Sequence, residues 1–143
     1  MQSRKLDASN SVQSFEPIIG INPQIMILGS MPGVASLEAQ QYYAHPRNAF
    51  WPIMAELFAL DVDNDYAQRI AQLRRLPLIL WDVLRQCQRA GSLDTAIERN
   101  SAKANDFAQL MGRYGSLRVI AFNGAVAEQL YLRHVGAAQT KAV

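Results

Sequence analysis

The chain holds one cysteine, Cys87, in 143 residues, so no internal disulfide can form. A lone thiol suits a reducing compartment, and a cytoplasmic location is expected. No apolar run approaches the ~18 residues of a membrane span. Residues 1–16 lack the apolar centre of a secretory signal. Neither sign of charge dominates: 14 Lys and Arg stand against 12 Asp and Glu, a net charge of +2. Composition alone therefore does not announce a nucleic-acid binder, and such a role would rest on a local basic surface. The phosphate-binding patterns of P-loop and dinucleotide-binding proteins are both missing, as are internal repeats and low-complexity tracts. What is present is a chain of single-domain length, half of it hydrophobic, which is enough for a sizeable core.

Residues 1–14 are polar and rich in Ser, Asn and Gln, which predicts a flexible tail ahead of one domain over residues 15–143. Residues 24–28, 77–81 and 117–122 are short apolar runs and read as buried strands. Helices are expected over residues 50–60, 65–75, 103–114 and 124–134, with residues 83–98 as mixed loop and short helix. Residues 29–47 read as one long loop, a length that usually carries function. Alternating strands and helices predict an α/β fold with a mainly parallel sheet. Ligands in such sheets bind beyond the carboxyl ends of the strands. Those ends lead into residues 29–48, 82–94 and 123–124, so the site is expected there.

The first of these segments reads Leu28-Gly29-Ser30-Met31-Pro32-Gly33, then Tyr42-Tyr43-Ala44-His45-Pro46-Arg47-Asn48-Ala49-Phe50-Trp51. A glycine- and proline-bearing turn after a strand lets backbone N–H groups approach a ligand. Taken together, "LGSMPG" and "HPRNAFW" resemble the first motif of the uracil-DNA glycosylase superfamily. The Ser-Met-Pro and Tyr-Tyr form is most similar to its hypoxanthine-DNA glycosylase branch. "LILWDVLRQCQRAGSLDTAI" and "RVIAFNGAVAEQLY" resemble that branch in order and spacing, so the likeness covers residues 15–136. It implies a three-layer α/β/α sandwich with a short, mainly parallel sheet. It also implies a hydrolase of base-excision repair that acts on DNA containing a deaminated base, hypoxanthine or uracil, with no metal or organic cofactor.

In such enzymes the base is flipped into a pocket, stacked on an aromatic ring and read along its polar edge. Many members carry Asp or Asn before the proline of the first turn, where this chain has Met31. By resemblance, the water-positioning role passes to Asn48. A helix cap at the start of residues 50–60 is the structural alternative, and the two are compatible. Phe50 resembles the base-stacking ring, with core packing as its alternative. Gly29, Ser30 and Met31 would border the base, and Tyr43 and His45 share the loop. Asp82 stands where uracil-specific relatives carry a base-reading Asn. A carboxylate there would accept the N1–H of hypoxanthine, or else cap the next turn. Ser92 and Asp94 read as a cap and a helix start. Asn123 and Gly124 open the last helix, whose N-terminal N–H groups suit a DNA phosphate, with capping by Asn123 as the alternative. Arg47, Arg85, Arg89 and Lys103 are scattered cations that read first as a solvated face, with phosphate contact as the alternative.

The same relatives continue into a further strand and a Ser/Pro-rich second motif that inserts into the DNA. "HVGAAQTKAV" contains no such motif. The resemblance thus implies a domain without its final strand and second motif, Lys141 to Val143 being the first residues of that strand. An exposed sheet edge, lower stability and weakened activity would follow. Two readings stand beside the enzyme: a damaged-DNA-binding relative with little or no turnover, and an unrelated α/β domain whose Gly-Pro loop binds a nucleotide phosphate.

Overall fold

The computed structural model describes residues 10–62 and 65–136. At its centre lies a four-stranded sheet in the order β2-β4-β3-β7, formed by β2 (Ile18–Ile19), β3 (Ile25–Gly29), β4 (Leu78–Asp82) and β7 (Val119–Phe122). β3 runs parallel to both β4 and β7, and only β2 is antiparallel. All five residues of β4 are buried, which is why its sequence is a continuous apolar run up to Asp82.

The pleat of β4 divides the core in two. Leu78 and Leu80 pack with Phe50, Trp51, Met54, Ile70 and Leu73, from helices α2 (Phe50–Phe58) and α3 (Tyr66–Leu73). Ile79 and Trp81 pack with Phe107, Leu110, Leu130 and Tyr131, from α4 (Phe107–Arg113) and α5 (Ala125–His134). Helices thus cover both faces of the sheet, the expected α/β/α sandwich. No helix among the described residues is long and apolar enough to cross a membrane.

Three elements differ from the sequence reading. Residues 29–47 are not one loop, because α1 (Val34–Ala39) interrupts them. Residues 83–104 form a hairpin of β5 (Leu84–Arg89) and β6 (Ile97–Ala104), joined through a short 3-10 turn at Asp94–Ala96. The helix expected from residue 103 starts at Phe107, where the Asp106 carboxylate caps it by accepting from the Gln109 N–H. The hairpin escaped notice because β6 buries only Ile97 and so shows no alternating pattern. It is held by backbone pairing, with register shifts at Gln86 that blur any period of two.

Likewise, the expected tail is ordered at its end. Ser11–Gln13 form β1, antiparallel to β5, with Val12 packed on the core. One apolar residue in three leaves no compositional trace. Residues 1–9 of that tail, and Lys141 to Val143, expected to begin a further strand, lie outside the described residues.

Candidate active site

The parallel register sets Gly29 beside Asp82, and Leu28 beside Phe122. Asn123 follows directly, its N–H bonded to the Leu28 carbonyl at 2.7 Å. Three strand ends therefore meet, as the topology required. They floor a cavity of about 420 Å³ whose wall includes Ser30, Met31, Tyr43, His45, Asn48, Phe50, Asp82, Ser92, Asp94 and Asn123. Of the expected catalytic, base-binding and helix-mouth residues, Gly124 is not on that wall, and neither are the cations Arg47, Arg85, Arg89 and Lys103.

Gly29 is required by space. A Cβ there would stand 2.6 Å from Asp82 Oδ1 and 2.8 Å from the Tyr43 hydroxyl. The carboxyl and the phenol both lean into the room that the missing side chain leaves. Asp82 itself is 4% exposed, and its Oδ2 is buried without a hydrogen-bond partner. Burial, reinforced by the neighbouring Asp94 carboxylate and opposed by Arg89, raises its pKa to about 7. Its backbone carbonyl accepts from the buried Asn105 amide at 2.8 Å, which pins the strand end. Asp82 is therefore not a cap.

Tyr43 and Phe50 form a stacked pair, with ring centroids 4.0 Å apart and planes 17° from parallel. Phe50 is the buried member, at 6% exposure, and Trp51 meets it edge-on. Tyr43 is partly exposed and adopts a left-handed backbone, φ 53°. For a tyrosine that conformation costs on the order of 1 kcal/mol. Its neighbours impose it. The Tyr42 hydroxyl donates to the Glu16 carbonyl (2.7 Å), the Trp51 indole N–H donates to the Tyr42 carbonyl (3.2 Å), and the Ala44 N–H donates to Ser36 Oγ (3.0 Å). Burial pushes the Tyr43 phenol above its ordinary range, and Asp82 pushes it the same way, while Asn123 beside it acts in the opposite sense.

Asn48 lies exposed at the cavity mouth. Its Oδ1 accepts from the Phe50 N–H at 2.9 Å, and its own N–H donates to the His45 carbonyl at 3.0 Å. The first bond is the capping interaction expected of it, one position ahead of the formal cap, Ala49. It fixes the amide while leaving Oδ1 a second lone pair for a water. His45 Nδ1 accepts from the Arg47 N–H at 3.1 Å. Met31 borders the cavity but buries its side chain in the core.

Sequence reasoning missed the part played by Ser92 and Asp94. The Ser30 hydroxyl donates to Asp94 Oδ1 at 2.7 Å, and Ser92 Oγ accepts the Val34 N–H at 2.8 Å. These bonds tie the hairpin to the first motif. Arg89 completes the tie: 2% exposed, it donates to the carbonyls of Gly91 (2.7 Å) and Pro32 (2.6 Å). It is thus a buried clamp, not a phosphate contact. Arg47, Arg85 and Lys103 are exposed. Asn123 faces the cavity and does not cap α5, whose cap is Gly124 at φ 105°. No group of three His, Cys, Asp or Glu among the described residues is placed to hold a metal ion.

Chemically, the cavity offers a ring to lie against, a buried polar group to read an edge, and a fixed amide at the mouth. A flat, polar heterocycle fits that description. The model of the uracil DNA glycosylase superfamily matches residues 17–143. A hypoxanthine DNA glycosylase of Methanosarcina barkeri is 37% identical over 113 residues, covering 78% of this chain and 70% of the relative. One of Methanosarcina acetivorans is 34% identical over 116 residues, covering 80% and 72%. A solution NMR structure from Methanosarcina acetivorans, provisionally described as a uracil DNA glycosylase, superposes with a TM-score of 0.74 at 34% identity, over 93% of this chain and 83% of its own.

Proposed function

Because this chain belongs to the uracil DNA glycosylase superfamily, we propose that it is a DNA glycosylase that removes hypoxanthine, and also uracil, from DNA as the first step of base excision repair. The observation that carries this reading is the joining of the stacked Tyr43–Phe50 pair, the buried Asp82 and the fixed Asn48 amide in one cavity. The flipped base lies against the Tyr43 ring, which Phe50 backs from the core. Phe50 thus supports the stack, and Tyr43 makes the contact. Asp82 and Asn123 meet the polar edge of the base.

Asn48 Oδ1 accepts a hydrogen bond from the attacking water and orients its oxygen toward the sugar C1′. The C1′–N bond breaks with its electron pair going to the base, through an oxocarbenium-like transition state. Water supplies the hydroxyl at C1′, and its proton goes to the departing base. The N-terminus of α5 at Gly124 receives a backbone phosphate, its N–H groups acting with the helix dipole. The cytoplasm, where the buried Cys87 stays reduced, is the proposed setting.

Asn48→Ala tests the assignment. Single-turnover release of hypoxanthine from a deoxyinosine duplex is expected to slow by at least about a hundredfold. An unchanged melting curve would show the fold intact. Cleavage at the original rate would remove Asn48 from the mechanism.

A further inference from the structure

We infer that Asp82 meets the deaminated base as a neutral carboxylic acid, its C=O accepting the ring N–H while its O–H donates to the adjacent ring carbonyl. The inference rests on the glycosylase reading and adds how the base is held.

The geometry carries it. Asp82 is the one buried carboxyl among the described residues, and it sits in the cavity wall at the end of β4 with Oδ2 unpartnered. A buried carboxylate that accepts no bond at one oxygen is a costly group, and a proton on that oxygen removes the cost. The nearby cation, the buried Arg89 guanidinium, favours the ionised form, but burial and the Asp94 carboxylate outweigh it. Arg89, from β5, directs two of its N–H groups at the carbonyls of Gly91 and Pro32. Asp94, from the 3-10 turn, repels a second negative charge, and the loop presents the phenols of Tyr42 and Tyr43, with His45 also on the cavity wall. The balance raises the pKa to about 7, so the neutral form is abundant at physiological pH.

A base that has lost its amino group to deamination presents a lactam edge, an N–H beside a C=O. A carboxylate matches the N–H but turns a lone pair toward the carbonyl. A carboxylic acid matches both, closing a ring of two hydrogen bonds. Its proton can sit on either oxygen, so one side chain serves a lactam presented in either sense: O6 and N1–H of hypoxanthine, or O4 and N3–H of uracil. The substrate class that follows is the lactam-bearing deaminated bases rather than one of them.

The test is the pH profile of single-turnover cleavage of a deoxyinosine duplex between pH 5.5 and 9, for the wild type and Asp82→Asn. The wild-type rate is expected to fall about tenfold per pH unit above an inflection near 7. Asn offers the same acceptor and donor without titrating, so Asp82→Asn should keep cleaving and lose that inflection. A wild-type rate that is flat or rising through pH 7 overturns the inference. So does an inflection that persists in Asp82→Asn, which would belong to another group such as the cavity-lining His45. Carbon-13 NMR of the Asp82 carboxyl in the free protein gives an independent reading: a midpoint near 7 supports the inference, and one below 5 overturns it. If the wild type cleaves neither deoxyinosine nor deoxyuridine, the glycosylase reading fails, and the NMR titration still decides the protonation of Asp82.

Discussion

A methyl group at Gly29 would strike the two groups proposed to touch the base. At 2.6 Å from Asp82 Oδ1 and 2.8 Å from the Tyr43 hydroxyl, a Cβ must push one of them aside. Gly29→Ala is therefore expected to reduce cleavage of deoxyinosine DNA at least about tenfold, the cost of an ångström-scale misplacement near the chemistry. The damage should be local, with a melting temperature within a few degrees of wild type. A variant that cleaves normally would show that neither group needs its present position. Ser30 differs, because its hydroxyl is already committed to Asp94. That bond places a second carboxylate in the wall and helps keep Asp82 neutral.

Helix α4 allows a clean measure of local energetics. Gly112 lies near its end, exposed, with nothing within 4 Å of an added Cβ. Gly112→Ala should stabilise the protein by roughly 0.5–1 kcal/mol, since alanine loses less backbone entropy in a helix. Chemical denaturation would read it, and a destabilised variant would mean that α4 is frayed there. At this scale the sequence spoke unevenly. β3, β4 and β7 announced themselves as short apolar runs within two residues at either end, most plainly β4, which is buried on both faces and so apolar up to its last residue. The β5–β6 hairpin did not, since its exposed strand carries Glu, Arg, Asn and Lys and is held by its backbone. That one omission hid Ser92, Asp94 and the Arg89 clamp. Asp82 and Asn123 were legible because parallel topology dictates where strand ends gather. The stacking of Tyr43 on Phe50 was not, because it depends on a left-handed turn at a tyrosine, which no local preference favours.

For the molecule as a whole, Asp82 links function to stability. Its carboxyl titrates near 7 when folded, against 3.8 as the ordinary value. Between those limits the folded chain keeps a proton that the unfolded chain releases. Stability from this group is therefore complete at low pH and is lost as pH rises to 7. Asp82→Asn removes the buried charge, so its gain in melting temperature should be larger at pH 8 than at pH 5. Equal gains at both would mean that the carboxyl ionises freely in the fold. A cavity that holds an unpaired acid at a stability cost makes sense where that acid serves a bound base. The most direct measurement is single-turnover incubation with a duplex bearing one deoxyinosine, followed by alkali. The expected result is strand scission at the inosine alone, lost in Asn48→Ala. An intact strand, both in this duplex and in one with deoxyuridine in place of the deoxyinosine, from a protein shown to be folded, would contradict the glycosylase assignment.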